Sequence, residues 1–169
     1  MTDGLSWSGY MPLAWRPADL DDLARQGMLR EAALLLAAIN QMEGSHELEA
    51  GGPENRRLDR LEAKLDLALH LLARSLEPGP GPSGRAVTLS PHEVQWNDER
   101  PPIKASRILL ELRPSEQLPL PLRLPATSLE PLPGIARARL DGLPEALDDA
   151  LHQFVFRRHR QAIRARAGG

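Results

Sequence analysis

The basic residues near the C-terminus carry the side chains of this chain best suited to binding an anion. Residues 145–167 contain no proline and end in a run of cations. Guanidinium groups suit a nucleotide phosphate or an acidic partner because their planar fork donates two hydrogen bonds at once. Cations at a helix C-terminus are also favourable by themselves, by about 0.3–1 kcal/mol each, so a solvated helix end is the alternative interpretation. The candidate ligand-binding residues are Arg157, Arg158, Arg160 and Arg164.

The remaining polar residues predict no catalytic chemistry. Among the five histidines, no pair with another histidine or a nearby carboxylate is expected to show metal-ligand spacing on a common face. Ser90 precedes a proline and lacks the glycine pattern of a nucleophile elbow. The glycines of the segment EPGPGPSG alternate with prolines and do not form a phosphate-binding loop. We therefore predict that the protein is not an enzyme and has no metal or other resident cofactor.

Composition narrows the class of protein. The chain has 169 residues, a formal net charge of −2 and no cysteine. This charge gives no reason to expect binding to DNA or to an anionic membrane, and the absence of cysteine suits a reducing compartment. The N-terminus has no basic segment followed by an apolar run of signal length. The longest apolar run, residues 32–39, is far too short to span a bilayer, so a cytoplasmic protein is expected.

Proline placement divides the chain into helical and non-helical parts. Residues 18–43, 54–76 and 145–167 contain no proline, whereas 13 of the 16 prolines lie between residues 78 and 144. Because proline breaks helices, this distribution predicts two helices, a non-helical module and a terminal helix. The polar connection at residues 45–53 is short, so residues 18–76 are predicted to form an antiparallel helical hairpin.

The second predicted helix is rich in leucine on more than one face. Leucines at 3–4 spacing along residues 54–76 predict a short coiled-coil seam, and further leucines occupy the opposite side. A hairpin of this size cannot bury both faces alone, so we predict a homo-oligomer, either a dimer or a tetramer. A core helix of an intramolecular bundle is the alternative. The predicted oligomerisation residues are Leu58, Leu61, Leu65, Leu67, Leu69, Leu71, Leu72 and Leu76.

The rest of the chain is predicted to form a small β domain and a final helix. Residues 1–17 have no period and are expected to be extended or disordered, and residues 77–84 are expected to be a Pro/Gly linker. Short alternating apolar stretches within residues 85–142 predict an antiparallel β-barrel, with a sandwich as the fallback. Residues 143–169 are predicted to be a helix with a basic end. The fold class is therefore α+β. The predicted strands are residues 85–90, 93–97, 105–112, 118–124 and 135–140.

The segments RAVTLSPHEVQW, KASRILLELRP and PLPLRLPATSLE together resemble the PilZ domain, a small bacterial barrel associated with cyclic di-GMP. In that family a turn of pattern (Asp/Asn)-x-Ser-x-x-Gly precedes the second strand, and an Arg-x-x-x-Arg pair lies upstream of the first. Ser90 matches the turn and is a further candidate ligand-binding residue, but Thr88 and Glu93 replace the acidic or amide residue and the glycine of the turn. Upstream of Val87 the nearest arginines are eleven residues apart, so the arginine pair is missing.

The leucine-rich helix ahead of such a degenerate barrel resembles the atypical, tetramer-forming branch of the family called tPilZ. This resemblance implies a non-catalytic regulatory or adaptor protein in bacterial cyclic-di-GMP-linked signalling. Such a protein would self-associate through its helices and contact a protein partner. Cyclic di-GMP itself is a candidate ligand that the motifs do not favour. The alternative hypothesis is a structural oligomerisation scaffold without a nucleotide ligand.

Overall fold

The computed structural model describes residues 4–45, 81–116, 118 and 120–168, together with six helical residues between 61 and 75. Within these residues the chain forms a closed six-stranded antiparallel barrel with a long helix before the second strand and another after the last. The predicted α+β fold, an antiparallel β-barrel with helices, is confirmed. None of the described helices combines the length and the apolar character that crossing a bilayer requires.

The barrel strands follow one another around the wall in the order β1-β2-β3-β6-β5-β4, and β4 pairs again with β1. Their inward positions are apolar and alternate with outward positions, as in Val94 and Trp96 of the third strand, which are both buried. This alternation is the pattern that predicted the barrel. The strands are β1 (Trp7–Pro17), β2 (Gly84–Leu89), β3 (Glu93–Asn97), β4 (Arg107–Leu112), β5 (Leu122–Ser128) and β6 (Ile135–Arg139).

The first strand comes from the N-terminal segment, which the sequence analysis placed outside the barrel as extended or disordered chain. Residues 7–12 of β1 pair with β2 and residues 13–17 pair with β4, so one long strand closes the barrel. Met11 and Leu13 point into the core and are buried. Glycine and proline interrupt the segment. They hide the alternation of apolar and polar residues by which a strand is usually recognised.

The strand predicted at residues 118–124 is displaced toward the C-terminus and is not an edge strand. It is observed as β5 (Leu122–Ser128), between β4 and β6. Pro121 lies just before the strand, where its missing N–H costs no ladder bond. Pro125 lies inside it, but β5 pairs with β6 only at Thr127 and Ser128. Proline is thus tolerated in a closed barrel because this part of the strand has a partner on one side only.

The first helix, α1 (Asp22–Ser45), begins directly after an aspartate cap. The carboxylate of Asp21 accepts a hydrogen bond of 2.7 Å from the backbone N–H of Ala24, which satisfies one of the free donors of the first turn. The helix packs against β5 and against the C-terminal helix. One face of α1 is buried and the other is exposed, with Leu34 at 70% exposure. Its buried side chains are Leu29, Ala32, Leu36 and Ile39.

The second long helix, α2 (Glu145–Ala167), covers the proline-free segment that predicted it. Its first half is the buried half: Leu147, Leu151 and Phe154 are among the least exposed side chains of the core. Val155 is buried as well, whereas Ile163, nearer the C-terminus, is 53% exposed. The basic half of the helix therefore extends past the core that its first half covers.

The predicted second helix of the hairpin lies mostly outside the described residues. The six residues that the structure describes are all helical, and five of them are exposed. Leu69 is the exception, because it is half-buried and packs against the core of its own chain. The six residues are Leu61, Leu65, Ala68, Leu69, Leu72 and Ser75.

Candidate functional site

Ser90 lies in the turn between β2 and β3, at the position that resembles the PilZ signature turn. Its backbone N–H donates to the carbonyl oxygen of Glu93 at 2.9 Å. Its hydroxyl group accepts from the backbone N–H of Glu93 at 3.0 Å and lies 3.2 Å from the carbonyl oxygen of the same residue. The Ser90 side chain therefore closes the turn, as serine commonly does in such loops.

The two positions at which the sequence departs from the signature are also engaged within the chain. The Thr88 hydroxyl group is 2.9 Å from the hydroxyl group of Ser8 on β1. The Glu93 carboxylate accepts 2.8 Å and 2.9 Å hydrogen bonds from Arg137 and Gln95. A carboxylate in place of the signature glycine puts negative charge beside the turn, and this charge disfavours a phosphate there.

The family's arginine pair lies upstream of the first barrel strand, and the structure places that strand earlier in the chain than the sequence analysis did. Because β1 is the first strand of the barrel, such a pair would precede Trp7, and residues 1–6 contain no arginine. Arg85, considered in the sequence analysis, lies inside the barrel wall on β2. Its guanidinium group donates to the Asp98 carboxylate at 2.9 Å and to the Asn97 carbonyl oxygen at 3.1 Å. This arginine serves the closure of the barrel end.

Asp98 is the centre of that closure, and sequence analysis did not identify it. Besides Arg85, its carboxylate accepts hydrogen bonds from the indole N–H groups of Trp15 at 2.8 Å and Trp96 at 3.1 Å, and from the backbone N–H of Arg100 at 2.9 Å. Burial by itself raises the pKa of the Asp98 carboxyl group. The four donors outweigh burial, and the pKa is held below its ordinary value of 3.8.

Arg157 and Arg158 join the basic half of α2 to α1. Arg157 donates to the backbone and side-chain oxygens of Asn40. Arg158 donates to Glu43 at 2.8 Å and to the Pro114 carbonyl oxygen at 2.7 Å, and its guanidinium group lies over the rings of Phe154 and Trp7. The Glu43 side chain is only 15% exposed between the two arginines. These contacts make both arginines part of the helix packing.

Arg160 and Arg164 lie farther along the same helix, and both are exposed. The Arg160 guanidinium group stacks over the ring of Phe156 at 5.6 Å and lines a small cleft with Asn40 and Gln153. The signature turn lies elsewhere, because its residue His92 contacts the first turns of α2. At a rise of about 1.5 Å per residue, Arg160 is roughly 12 Å beyond that contact along the helix axis. The structure therefore does not bring Ser90 and the arginines into one site.

The structure does bring together three side chains that the sequence analysis did not combine. Nδ1 of His92 is 3.6 Å from one carboxylate oxygen of Asp148, and Nδ1 of His152 is 3.6 Å from the other. The two imidazole rings meet edge to face, with 5.5 Å between their centroids. Asp148 and His152 are four residues apart and share a helix face, a spacing that sequence analysis can detect. The contribution of His92 requires the tertiary fold.

The leucines on the six described helical residues form an exposed row. Leu61, Leu65 and Leu72 are 56%, 60% and 56% exposed. At roughly 100° per residue, they lie within an arc of about 40°, so they share one helix face. We call these three residues the leucine face. Four of the predicted oligomerisation residues, Leu58, Leu67, Leu71 and Leu76, lie outside the described residues.

The fold is similar to that of a pathogenic protein from Xanthomonas campestris, with a TM-score of 0.76 and 27% sequence identity. The alignment covers 96% of this chain and 92% of that chain. The Xanthomonas protein is described as a new tetrameric PilZ domain that self-assembles via an unusual helical bundle. No curated protein matches the chain.

A family model supports the same assignment from the sequence side. It matches residues 33–167 and describes tPilZ, an atypical PilZ domain and cyclic di-GMP receptor. The matched region contains β2 to β6, all of α2 and the second half of α1, with the buried Leu36 and Ile39. A receptor domain senses a ligand and does not transform it, which agrees with the prediction that the protein is not an enzyme. The chain belongs to the tPilZ family of atypical PilZ domains.

Proposed function

We propose that this protein is a self-associating PilZ-type adaptor in bacterial cyclic-di-GMP-linked signalling. It acts in the cytoplasm and contacts a protein partner through copies of its barrel that its helices hold together. Several weak contacts displayed in one assembly give avidity that exceeds the affinity of each contact.

The leucine face is the observation that carries this proposal. A helix that served only as part of an intramolecular bundle would bury its leucine row against its own chain. Leu69 does so, whereas Leu61, Leu65 and Leu72 are each more than half exposed. Fully burying a leucine side chain is worth about 1.5–3 kcal/mol. Covering the leucine face in an assembly therefore gains on the order of 3 kcal/mol per chain.

The assembly of the Xanthomonas protein through a helical bundle supports the same use of these helices here. The position of the helices in the chain also favours this use. They are inserted between β1 and β2, which are neighbours in the barrel. An insertion at this point adds an oligomerisation element without interrupting another strand pair. The barrels then remain free on the outside of the bundle for a partner.

The bonds of the signature turn support an adaptor that works without cyclic di-GMP bound at the usual place. The hydroxyl groups of Ser90 and Thr88 make hydrogen bonds within the chain, and the Glu93 carboxylate binds Arg137. A nucleotide at this turn would have to displace these bonds and would bring its phosphates toward the Glu93 carboxylate. Arg157 and Arg158 offer no replacement, because their guanidinium groups bind α1.

Self-association is tested by Leu65→Asp. A charge in the leucine face costs more than the lost contact, because an unpaired carboxylate would be buried in the assembly. We expect sedimentation velocity to show the oligomer for wild type and a monomer for the variant. Since Leu65 is 60% exposed in the single chain, the circular dichroism spectrum should not change.

Leu132→Asp is the matched control, since Leu132 is also exposed, at 47%, but lies in the loop before β6. This control should sediment as wild type does. An unchanged oligomer for Leu65→Asp would show that the leucine face is not the interface.

The role of the nucleotide is tested by calorimetric titration of cyclic di-GMP into the wild-type protein. We expect no heat and no thermal shift at millimolar ligand, and the search for a ligand then moves to proteins. Binding at micromolar concentration or tighter would overturn the adaptor proposal and make the protein a direct receptor. Arg160→Ala combined with Arg164→Ala would then establish whether the exposed arginines replace the signature.

A further inference from the structure

His92, Asp148 and His152 form a cluster in which each side chain offers one ligand atom, and these atoms all lie within 4.8 Å of one another. The residues come from two separate elements, the turn between β2 and β3 and the first turns of α2. Each is reachable from solvent, with side-chain exposures of 66% for His92, 35% for Asp148 and 46% for His152. None of the three is among the candidate ligand-binding residues of the sequence analysis or in the leucine face.

The spacing fits a tetrahedral metal ion. Ligand atoms bound to Zn²⁺ at about 2.0–2.2 Å in tetrahedral geometry are separated by about 3.3–3.6 Å. The carboxylate of Asp148 is 3.6 Å from Nδ1 of both histidines, close to that separation. The widest gap, 4.8 Å at most, closes by small rotations of exposed side chains. An ordinary ion pair with aspartate involves one imidazole group. Here each oxygen of the Asp148 carboxylate faces a different imidazole group, an arrangement that favours a metal ion between them.

The surroundings hold the ligands in place before an ion arrives. The turn that carries His92 is closed by Ser90 and is tied to the barrel wall by a 2.8 Å hydrogen bond from the Leu140 N–H to the His92 carbonyl oxygen. Nδ1 of His152 is 2.9 Å from the backbone carbonyl oxygen of Asp148. This hydrogen bond holds the imidazole ring beside the carboxylate. Nδ1 gives it up when it binds the ion, and Nε2 then carries the ring proton.

We propose that His92, Asp148 and His152 bind a zinc ion, with the fourth coordination position open to water or to an external ligand. Imidazole nitrogen atoms favour zinc and its neighbours over magnesium or calcium, which prefer oxygen ligands. Three protein ligands and one exchangeable position are typical of an open zinc site. The ion would join the signature turn to α2 and place a positive charge beside that turn.

The experiment uses full-length protein without a histidine tag, stripped of metal with a chelator and then titrated with Zn²⁺ in a calorimeter. We expect one ion per chain. Titration with Co²⁺ in place of Zn²⁺ should give visible absorption typical of a four-coordinate site. Loss of a ligand should weaken zinc binding by about a hundredfold or more, since even partners outside the ligand set are worth about 10–100-fold.

Two ligand variants and one control separate a site from a loss of folding. Asp148→Asn and His92→Ala change ligands on different elements, and both should lose zinc binding. Asp149→Asn is the control, because it removes an adjacent exposed carboxylate from the same helix and should bind as wild type does. Circular dichroism and the thermal midpoint without metal check that each variant is folded.

Three outcomes would overturn the site. One is an absence of zinc binding by the wild type. Another is binding that folded His92→Ala and Asp148→Asn retain in full, which would place the ion on other histidines. Binding lost in the Asp149→Asn control as well would also overturn it, because the effect would then follow the overall charge of the helix and not the three ligands.

Discussion

The carboxylate of Asp98 holds together one end of the barrel. Four donors from β1, β2, β3 and the following turn converge on it. Two of those donors are the indole groups of Trp15 and Trp96, which are partly or fully buried and lose their acceptor if the carboxylate is removed. Hydrogen bonds to a charged group contribute about 1.5–3 kcal/mol each to folding stability in favourable cases.

Asp98→Asn should therefore lower the free energy of unfolding by about 2–3 kcal/mol near neutral pH. The effect should depend on pH, because the pKa of Asp98 is lower in the folded protein than its ordinary 3.8. The carboxylate binds its proton less readily when folded, so its contribution is complete above that value and disappears as the pH falls through the folded-state pKa.

Urea denaturation of both proteins between pH 7 and pH 3 provides the measurement. The difference between wild type and Asp98→Asn should shrink at the acidic end. Glu99→Gln, at the adjacent exposed position, should match wild type at every pH. A difference that is constant down to the lowest pH would contradict the assigned role of the Asp98 charge.

Glu43 provides the second prediction for a single residue. It lies between Arg157 and Arg158, with oxygens 3.8 Å and 2.8 Å from their guanidinium groups. Glu43→Gln leaves two partly buried cations without their acidic neighbour, so we expect a loss of about 2–4 kcal/mol in unfolding free energy. Denaturation measures this, with Glu31→Gln on the exposed side of α1 as the control. Equal stability of both variants would contradict the structural role assigned to the contacts of Glu43 with Arg157 and Arg158.

Residue types identified the candidate binding residues, but the side chains that they contact in the fold determine their roles. The arginines of the last helix were visible in the sequence, and so was Ser90. That Arg158 faces Glu43, 115 positions away, is not visible, because the contact depends on how two helices pack. For the same reason His92 could not be combined with Asp148. Local spacing predicts what a helix face presents, whereas tertiary structure determines what meets it.

At the scale of elements, prediction succeeded where one physical signal was strong. The limits of α2 follow from Pro144 and from the proline-free segment after it, and β3 follows from alternation over Glu93–Asn97. It failed for β1, where glycine and proline mask the period, and for the start of β5. Both of these strands have different partners along their length. A local pattern cannot represent a pairing that changes within a strand.

Two glycines test how the backbone constrains these elements. Gly27 lies inside α1, where an added Cβ atom meets nothing within 4 Å, so Gly27→Ala should raise the free energy of unfolding by about 0.5–1 kcal/mol. Gly142 has a φ of +63° just before α2, and an added Cβ atom would lie 3.3 Å from the Arg25 guanidinium group. Gly142→Ala should lower the free energy of unfolding by about 1 kcal/mol.

Denaturation of the two variants at one protein concentration checks the pair. Opposite signs are expected because the same added methyl group meets an ordinary helical conformation at one site and a left-handed conformation at the other. A stabilised Gly142→Ala would show that the approach to α2 is not held in the conformation described here.

At the scale of the whole molecule, the insertion between β1 and β2 separates two tasks. The barrel buries its own core, including Trp96 and apolar residues from every strand, and needs no second chain for that purpose. The leucine face, by contrast, lies on the inserted segment and is exposed. Under the proposed function, this separation would allow assembly to change without changing the barrel surface offered to a partner.

Self-association also predicts how stability depends on protein concentration. For an assembly that dissociates on unfolding, each tenfold increase in concentration adds about 1 kcal/mol per chain for a tetramer and about 0.7 kcal/mol for a dimer, by mass action. In a chain of this length 1 kcal/mol corresponds to about 2–4 °C in thermal midpoint. The midpoint of the wild type should therefore rise with concentration, and the slope should distinguish the two assemblies.

Leu65→Asp should unfold at a midpoint that does not change with concentration, because a monomer has no mass-action term. Scans over a hundredfold range of protein concentration measure both slopes, and Leu132→Asp should retain the wild-type slope. A wild-type thermal midpoint that does not change with protein concentration would contradict an assembly that dissociates on unfolding. A Leu65→Asp midpoint that still rises would instead place the interface elsewhere, for example on the exposed face of α1 that includes Leu34. The slope thus tests both the existence of the assembly and the assignment of the leucine face to it.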